Sequence, residues 1–314
     1  MILKPQEQTC NRIVIHLETT EKDLTIRQLL RNHWQISGRM LTRLKKEAGV
    51  TLNGAWAPFY HQLAAGDCLE LIMEEEACEF KSQPLPLRVL YEDMDVLVVN
   101  KPPRMLTHPT TSIREGTLAN GVMHYMQEQH ETYKVRFVNR LDMDTSGVMI
   151  LAKNAFSHHA LMLQMQEDQM VKTYRVFVWG QVKTYRGTID APIYRQEDLP
   201  ENEPPLRIVD SRGKAAVSHY EVEAVYPEAS LVKITLETGR THQIRVHMKH
   251  LGHPVIGDDF YEPNQPCLIG RQALHAAETS FIQPRFGNRI NITAGFPEDL
   301  LQLERLLKTG QLER

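Results

Sequence analysis

The spacing of apolar residues in the first 75 positions predicts two short helices followed by strands. Apolar residues recur at the spacing of one helix face in two places, the second of which follows Ser37, a residue type that caps helices. They are Leu24, Ile26, Leu29 and Leu30 in the first place, and Met40, Leu41 and Leu44 in the second. Asn53-Gly54 is a strong signal for a two-residue turn, and residues 69–72 alternate like a half-buried strand. We therefore expect a small α/β domain over residues 10–75.

A linker and a larger domain are expected to follow. Residues 76–86 are acidic and then rich in proline, which disfavours a helix, so we interpret them as the linker. Apolar segments beyond it predict strands at 96–99, 148–151, 174–178, 220–225 and 231–236, and helices at 118–129 and 157–165. A charged, proline-containing stretch at 195–205 predicts a surface loop. The pattern favours an α+β domain over residues 87–300, built on a mostly antiparallel mixed central sheet, with 301–314 as a C-terminal tail.

Composition narrows the class of protein. The 314 residues are 42% hydrophobic, which is ample for a large core. No run of about 18 uncharged apolar residues is present, so a membrane span is not expected. The four cysteines lack Cys-x-x-Cys spacing, which argues against a zinc site and a disulfide framework, and residues 1–8 lack the apolar core of a secretory signal. These features predict a cytoplasmic protein. With a net charge of −3, affinity for a polyanion would have to come from local patches.

The strongest chemical signal is Asp142, which stands two residues after Arg140 at the entrance to an apolar run. Asp142, Ser146 and Gly147 are turn formers, whereas residues 148–151 are typical of a strand, so the carboxylate is expected on a loop held by a rigid scaffold. Catalytic groups often occupy such loops. The alternative is an ordinary turn in which Asp142 and Ser146 only cap local backbone donors.

A second cluster of polar side chains lies about a hundred residues downstream, after a strand-like segment at 231–236. It contains Arg240, His242, Gln243 and Arg245 within six positions. These side chains donate hydrogen bonds of the kind that suit phosphate, ribose and base edges. The cluster therefore indicates contact with an anion or a nucleic acid.

Together these segments resemble the RluA/RluD-type RNA pseudouridine synthases. Three ordered motifs carry the resemblance, which covers roughly residues 87–297. They are residues 91–93 with 96–103, then Arg140-Leu141-Asp142 with 145–147, and finally 238–245 with 252–258. Lys172-Thr173-Tyr174 falls where the family has a Lys-x-Tyr before a strand. The chain departs from the family pattern at Asn139, where His is usual, and at Arg104, where Gly is usual.

The resemblance implies roles for individual residues. Asp142 would be the catalytic carboxylate, acting as a nucleophile on the sugar or the uracil ring or as a base on the ribose. Arg245 would be its salt-bridge partner. Tyr174 would stack on the target uracil, with assistance of proton transfer at C5 as a further role open to it. The substrate-binding residues would be Arg140, which contacts or replaces the displaced nucleotide, together with Arg240, His242, Gln243 and Ile244. Neither a cofactor nor a metal would be needed.

The N-terminal domain is similar to the S4-type RNA-binding domain that commonly precedes this catalytic domain. The outer face of its second helix would carry the basic residues Arg39, Arg43, Lys45 and Lys46. The alternative is an ordinary solvated basic face. RNA is then the expected partner, with ribosomal RNA as the leading candidate and transfer RNA as the alternative. We expect the protein to be a monomer without an obligate protein partner.

Two other functions compete with this interpretation. A haloacid-dehalogenase-like phosphatase is suggested by Asp142-x-Asp144 and by the aspartates at 258 and 259, but that family needs an apolar strand before the first Asp, and here the strand follows it. A noncatalytic RNA-binding protein on the same fold is the second, although the set of Arg140, Asp142, Tyr174 and Arg245 is intact. Four histidines at 242, 247, 250 and 253 lack the spacing of a metal site.

Overall fold

The computed structural model describes residues 1–19, 23–74, 78, 80–196 and 205–310. It contains two hydrophobic units, and the first is a four-stranded sheet with two helical segments. Its elements are a 3-10 turn (Pro5–Glu7), β1 (Arg12–His16), α1 (Ile26–Gln28) continued by a π-helical turn (Leu29–His33), α2 (Gly38–Lys46), β2 (Val50–Leu52), β3 (Ala55–Trp56) and β4 (Cys68–Ile72). The strands pair antiparallel in the order β1-β4-β2-β3.

Local chemistry explains where these helices and turns lie. Thr25 and Gln28 form a capping box at the start of α1, and the Ser37 hydroxyl accepts a hydrogen bond from the backbone of α2. The apolar residues predicted for both inner faces are buried except Leu24, which is partly buried. Asn53 and Gly54 have φ angles of 51° and 81°, the left-handed conformation that a tight turn between β2 and β3 requires.

The larger unit is built on a ten-stranded sheet, which confirms the α+β prediction. Its strands are β5 (Arg88–Glu92), β6 (Val96–Lys101), β7 (Arg136–Phe137), β8 (Ser146–Ala152), β9 (Val171–Trp179), β10 (Arg186–Asp190), β13 (Val217–Val225), β14 (Ala229–Leu236), β15 (Leu274–Ile282) and β16 (Arg289–Thr293), with β11 (Ile193–Arg195) and β12 (Arg207–Val209) forming a separate hairpin. The main path runs β10-β13-β14-β9-β15-β8-β6-β5. Every pairing is antiparallel except β15 with β8.

Helices cover both faces of this sheet. They are α3 (Leu118–Glu128), α4 (Ala155–Gln166), α5 (Gln243–His250) and α6 (Glu298–Thr309). Alternate residues of β6 point to opposite faces, so Leu97 and Val99 pack with α3 and α5 whereas Val96 and Val98 pack with Leu161 of α4. The central strands are thus buried on both sides and form a rigid platform.

Some boundaries differ from the sequence-based expectation. Position 301 lies inside α6, whose Leu300, Leu303 and Leu307 are buried in one cluster with residues of β9 and β14. Residues 301–310 are therefore part of the larger unit and not a tail. Within the expected linker, residues 78 and 80–86 contain no helix or strand. The rest of that linker, residues 197–204 of the expected surface loop and residues 311–314 lie outside the described residues. None of the helices in the described ranges has the length and apolarity that a bilayer-spanning segment requires.

Buried contacts join the two units. Phe156 of α4 is 3% exposed and packs within the N-terminal core, where its ring lies 5.7 Å from that of Trp34. Asp95 and Arg285, both fully buried, form an ion pair at 2.7 Å, and Arg285 also donates to the backbone carbonyls of Thr9 and Arg12. The segment before β1 is therefore bound directly to the larger unit.

Candidate active site

Asp142 lies in the loop between β7 and β8, as the turn pattern predicted. Two side chains hold this loop at its ends. Asn139 donates to the carbonyl of Val148 at 3.1 Å and accepts from the amide of Ile150 at 2.8 Å, so it anchors the entry to the loop on β8. Its side chain combines a donor and an acceptor, which accounts for this role at a position where the resembling family has His.

Lys101 holds the other side of the loop. Its fully buried ammonium donates to the carbonyls of Pro102, Met105 and Met143 at 3.0, 2.8 and 2.8 Å, and Met143 directly follows the candidate nucleophile. Burial lowers the pKa of Lys101 to about 7, although three carbonyl acceptors match the three donors of an ammonium group. This lysine thus ties the loop after β6 to the loop of Asp142.

Arg245 stands between two carboxylates. It donates to Asp142 at 3.2 Å through one terminal nitrogen, and to Asp258 at 2.7 Å through each of its other two nitrogens. Arg245 and Asp258 side chains are only 6% and 3% exposed, whereas that of Asp142 is 30% exposed. Burial by itself would lower the pKa of Arg245, but Asp258 and Asp142 raise it overall. The guanidinium is therefore a fixed positive charge beneath a partly open carboxylate.

The turn into α5 directs Arg245 and His242 toward Asp142. His242 precedes the helix with a φ of 58°, and its Nε2 lies 3.8 Å from a carboxylate oxygen of Asp142. Gln243 is buried, and its amide makes four hydrogen bonds, to Thr238, Arg240, Val217 and Ser218. Because these bonds saturate the amide, we revise the predicted substrate contact of Gln243 to a role in shaping the turn.

Tyr174 lies on β9 at the centre of the sheet and faces the same site. Its side chain is 8% exposed, and burial together with the charge of Asp142 raises the pKa of its hydroxyl to about 12. The phenol is therefore neutral near pH 7.

These residues share a cleft of about 420 Å³ that adjoins a smaller cavity of about 70 Å³. Both spaces are lined by Asp142, Tyr174, Arg140, Arg240 and His242, and the smaller one also by Arg245 and Ile244. Lys172 lines the wider space. In the part of the chain that the structure describes, none of the three cations Arg140, Arg240 and Lys172 forms an ion pair, and their only side-chain hydrogen bond runs from Arg240 to the carbonyl of Ala215.

Comparison with known proteins identifies the family. Residues 95–250 match the model of the RNA pseudouridylate synthase family, and residues 13–69 match that of the RluD ribosomal pseudouridine synthase N-terminal domain. The RNA pseudouridine synthase YlyB of Bacillus subtilis is 36% identical over 314 residues, which cover 98% of each chain. The chain belongs to the RNA pseudouridine synthase family. The resemblance predicted from the three motifs is thus confirmed.

Other relatives agree with this assignment. The ribosomal large subunit pseudouridine synthase D of Pseudomonas aeruginosa is 36% identical over 277 residues, covering 84% of this chain and 85% of the relative. Among solved structures, human RNA pseudouridylate synthase domain containing 1 has 25% identity and a TM-score of 0.56, covering 69% of this chain and 86% of that one. The family membership leaves no support for the phosphatase alternative, and Asp258 is engaged by Arg245 instead of being available as a metal ligand.

The basic residues expected on α2 of this synthase lie away from the cleft. Arg39, Lys45 and Lys46 are exposed. Arg43 is half-buried and pairs with Glu47 at 2.8 Å and Glu74 at 2.9 Å, so its charge is largely compensated within the protein. The predicted RNA-facing set is therefore reduced to the three exposed residues.

Sequence reasoning missed the residues that support the site. The motifs include Asp258 and Lys101 without indicating a chemical role for either. No motif marks Tyr261, which packs on Arg245 with 4.8 Å from the guanidinium to the ring centre. Arg104 has a φ of 60°, the left-handed conformation that glycine adopts at least cost, which explains why Gly suits this position in the resembling family. Asp258 and Lys101 are charged residues within motif segments, and both are buried. Their place in a motif is the sequence signal that could have identified them as supports of the site.

Proposed function

We propose that this synthase isomerises uridine to pseudouridine in ribosomal RNA, with Asp142 as the nucleophile and without a cofactor. Relatives named as ribosomal large subunit pseudouridine synthases support ribosomal RNA as the substrate class. The observation that carries the mechanism is the position of Asp142, a partly open carboxylate beside Arg245 at the base of a cleft lined by unpaired cations.

The reaction explains why one carboxylate is enough. Pseudouridine forms when the bond from ribose C1′ to uracil N1 breaks, the base rotates and C1′ rejoins the base through C5. The proton on C5 is lost and one is gained at N1, so no electrons or water are consumed. Asp142 adds to the sugar or to the uracil ring and leaves when the new bond has formed. Arg245, at 3.2 Å, attracts the ionised carboxylate and holds it in place before and after this step.

Tyr174 supplies a surface for the displaced base. The target uridine must leave its stack to reach Asp142, and stacking on an aromatic side chain contributes about 1–3 kcal/mol per base. A phenol whose pKa is raised to about 12 is a poor base near neutral pH, so its role is to hold the uracil instead of removing the proton from C5.

The unpaired cations of the cleft hold the RNA backbone. Arg140 is exposed at the mouth, where its guanidinium can occupy the space that the flipped base vacates. Lys172 and Arg240 lie on the walls and contact phosphates on either side of the target nucleotide. Because the net charge of the protein is −3, this local concentration of positive charge is specific to the cleft and not a property of the whole surface.

The N-terminal domain adds a second RNA contact through Arg39, Lys45 and Lys46, which are all exposed on or beside the same helix. We place the enzyme in the cytoplasm, where its four cysteines, none of them in a disulfide, remain reduced.

Tritium release from ribosomal RNA labelled at C5 of uridine tests this proposal. Asp142→Asn keeps the shape of the side chain but removes its negative charge and nucleophilicity, so activity is expected to fall below detection while RNA binding is retained. Asp144→Asn, two residues away on the same loop, is the matched control and is expected to keep near wild-type activity.

The outcome also decides between enzyme and binding protein. Because Asp142→Asn leaves Arg245 with one carboxylate fewer, a thermal melt must first establish that the variant is folded. A folded variant that still releases tritium at the wild-type rate would remove Asp142 from the mechanism. A wild-type protein that binds ribosomal RNA but releases no tritium would favour the noncatalytic alternative.

A further inference from the structure

A chain of polar contacts, two of them hydrogen bonds, leads to Asp142 through His242, which lines the cleft. The backbone amide of Arg207, in β12, donates to the hydroxyl of Tyr261 at 3.3 Å. The same hydroxyl lies 2.8 Å from Nδ1 of His242, and Nε2 of His242 lies 3.8 Å from Oδ2 of Asp142. The chain thus joins a hairpin outside the main sheet to the candidate nucleophile.

The hydrogen bonds of the Tyr261 hydroxyl determine which nitrogen of His242 carries the proton. Tyr261 is 6% exposed, and its oxygen already accepts from the Arg207 amide. If Nδ1 of His242 also donated to that oxygen, the tyrosine hydroxyl proton would be buried without an acceptor. The hydroxyl must therefore donate to Nδ1, which leaves the imidazole proton on Nε2, the nitrogen that faces the Asp142 carboxylate.

Packing holds the imidazole in this orientation. The rings of Phe260 and Tyr261 meet the His242 ring nearly at right angles, with centres 5.7 and 5.6 Å away. The backbone of His242 is in the left-handed conformation, which histidine adopts more readily than most residues but still uncommonly. The ring is therefore directed at Asp142 by the turn and by its neighbours.

The charges around His242 favour its neutral form. Burial lowers its pKa, Asp142 and Asp258 raise it, and Arg245 and Arg207 lower it, with a net decrease. The Tyr261 hydroxyl adds to this decrease, because a hydrogen bond donated to Nδ1 stabilises the neutral ring. At neutral pH His242 then offers one N–H donor and no charge.

The N–H groups of Arg245 and His242 both point to the same oxygen of Asp142. Arg245 donates to Oδ2 at 3.2 Å, and Nε2 of His242 faces Oδ2 as well. Among the described residues no donor lies within hydrogen-bond distance of Oδ1. Oδ2 accepts one hydrogen bond and faces a second N–H at 3.8 Å, whereas Oδ1 accepts none. Since hydrogen bonding makes an oxygen less nucleophilic, the arrangement distinguishes the two oxygens of one carboxylate.

We propose that Tyr261 is a positioning residue: it holds His242 in the tautomer with the proton on Nε2, so that His242 and Arg245 together orient Asp142 with Oδ1 as the attacking atom. This inference rests on the proposed function of Asp142. Its consequence is that removing the tyrosine hydroxyl changes how the reaction depends on pH and not only its rate.

The test is the pH profile of kcat/KM for tritium release by Tyr261→Phe, the wild type and Tyr226→Phe. Tyr226 is equally buried, but its hydroxyl is bonded to Glu304 in another part of the fold, so its variant is the matched control. Without the hydroxyl, His242 is protonated at higher pH, and the resulting imidazolium pairs with Asp142 and quenches it. Tyr261→Phe is expected to stay within about threefold of wild type at pH 8 and to lose about tenfold for each unit below the new pKa of His242.

His242→Gln, which cannot titrate but retains an N–H donor, is expected to abolish this additional acid limb in the Tyr261→Phe background. A loss in Tyr261→Phe that is equal at all pH values would overturn the proposal. Nitrogen NMR of labelled histidine in the wild-type protein gives a second reading that needs no activity, with His242→Gln used to assign the signal. A proton on Nδ1 instead of Nε2 would also overturn the inference, whereas an inactive wild type with the proton on Nε2 would count against the proposed function alone.

Discussion

Arg245 is shared unequally by two carboxylates, and the difference separates a supporting residue from a reactive one. Asp258 binds it through two bonds of 2.7 Å in a site that excludes water, and Asp142 binds it through one bond of 3.2 Å at the edge of a cleft. The buried pair balances most of the charge. Asp142 is therefore held firmly enough to be oriented but is still accessible to substrate.

Replacing Asp258 by Asn is expected to damage both stability and activity. The change leaves a buried guanidinium with one weakly bound partner, and breaking a buried ion pair costs about 3–5 kcal/mol. Arg245 is then expected to move toward Asp142 and bind it more tightly, which slows the reaction. Asp259→Asn, at the exposed neighbouring position, is the control and should leave the melting temperature and tritium release unchanged. Equal melting temperatures for the two variants would show that Asp258 does not carry the buried charge.

At the residue scale, the sequence indicated which residues belong to the site better than it indicated where their side chains point. The proximity of Asp142, Arg245 and Tyr174 could be predicted because an ordered set of motifs marks their positions, and the three side chains line one cavity. The interior role of Gln243 could not be predicted, because its partners Val217 and Ser218 lie about 25 positions earlier in the chain. Spacing along a chain does not determine which way a polar side chain points in a turn.

Among the elements, α2 illustrates what an amphipathic pattern can and cannot determine. The apolar spacing located the helix and its buried face correctly, since Met40, Leu41 and Leu44 pack into the N-terminal core. The orientation of Arg43 depends on Glu74, which is 31 positions away, and so was not visible in the pattern. The missed extent of α6 has a similar cause, because its buried leucines cluster with residues of β9 and β14 that are distant in the sequence.

Reversing the charge of Lys45 and Lys46 tests the RNA contact of α2. Each cation that neutralises a phosphate contributes about 0.7–0.9 to the slope of log affinity against log salt concentration. The double change to Glu is therefore expected to weaken RNA binding and to flatten this slope by about 1–2. Reversing Arg305 and Lys308, two exposed cations near the end of α6, is the matched control. A slope that is the same in both double variants and in the wild type would argue for an ordinary solvated face on α2.

For the molecule as a whole, the decisive feature is that the two units share buried contacts. Asp95 accepts hydrogen bonds from Asn154, Ser157 and Gln283 as well as from Arg285, and these groups surround the segment that enters β1. Asp95 and Arg285 are 190 positions apart, so no local pattern could have revealed their pairing. The arrangement fixes the N-terminal domain relative to the cleft.

Two variants are expected to uncouple the units by different physical means. Phe156→Ala removes an aromatic ring from the N-terminal core, which lowers the stability of that core by about 3–5 kcal/mol. Arg285→Gln leaves Asp95 buried without its counter-ion and removes the donor to the carbonyls of Thr9 and Arg12. Amide hydrogen exchange should then rise in residues 13–72 while the central strands of the larger unit stay protected. Arg289→Gln, at an exposed position of β16, is the control and should leave exchange unchanged.

Because the cleft remains intact, both uncoupled variants should keep activity on a short oligonucleotide but lose it on structured ribosomal RNA. A fall in protection spread evenly over both units would mean that they unfold as one, and the shared contacts would then stabilise the whole chain instead of setting the orientation of one domain.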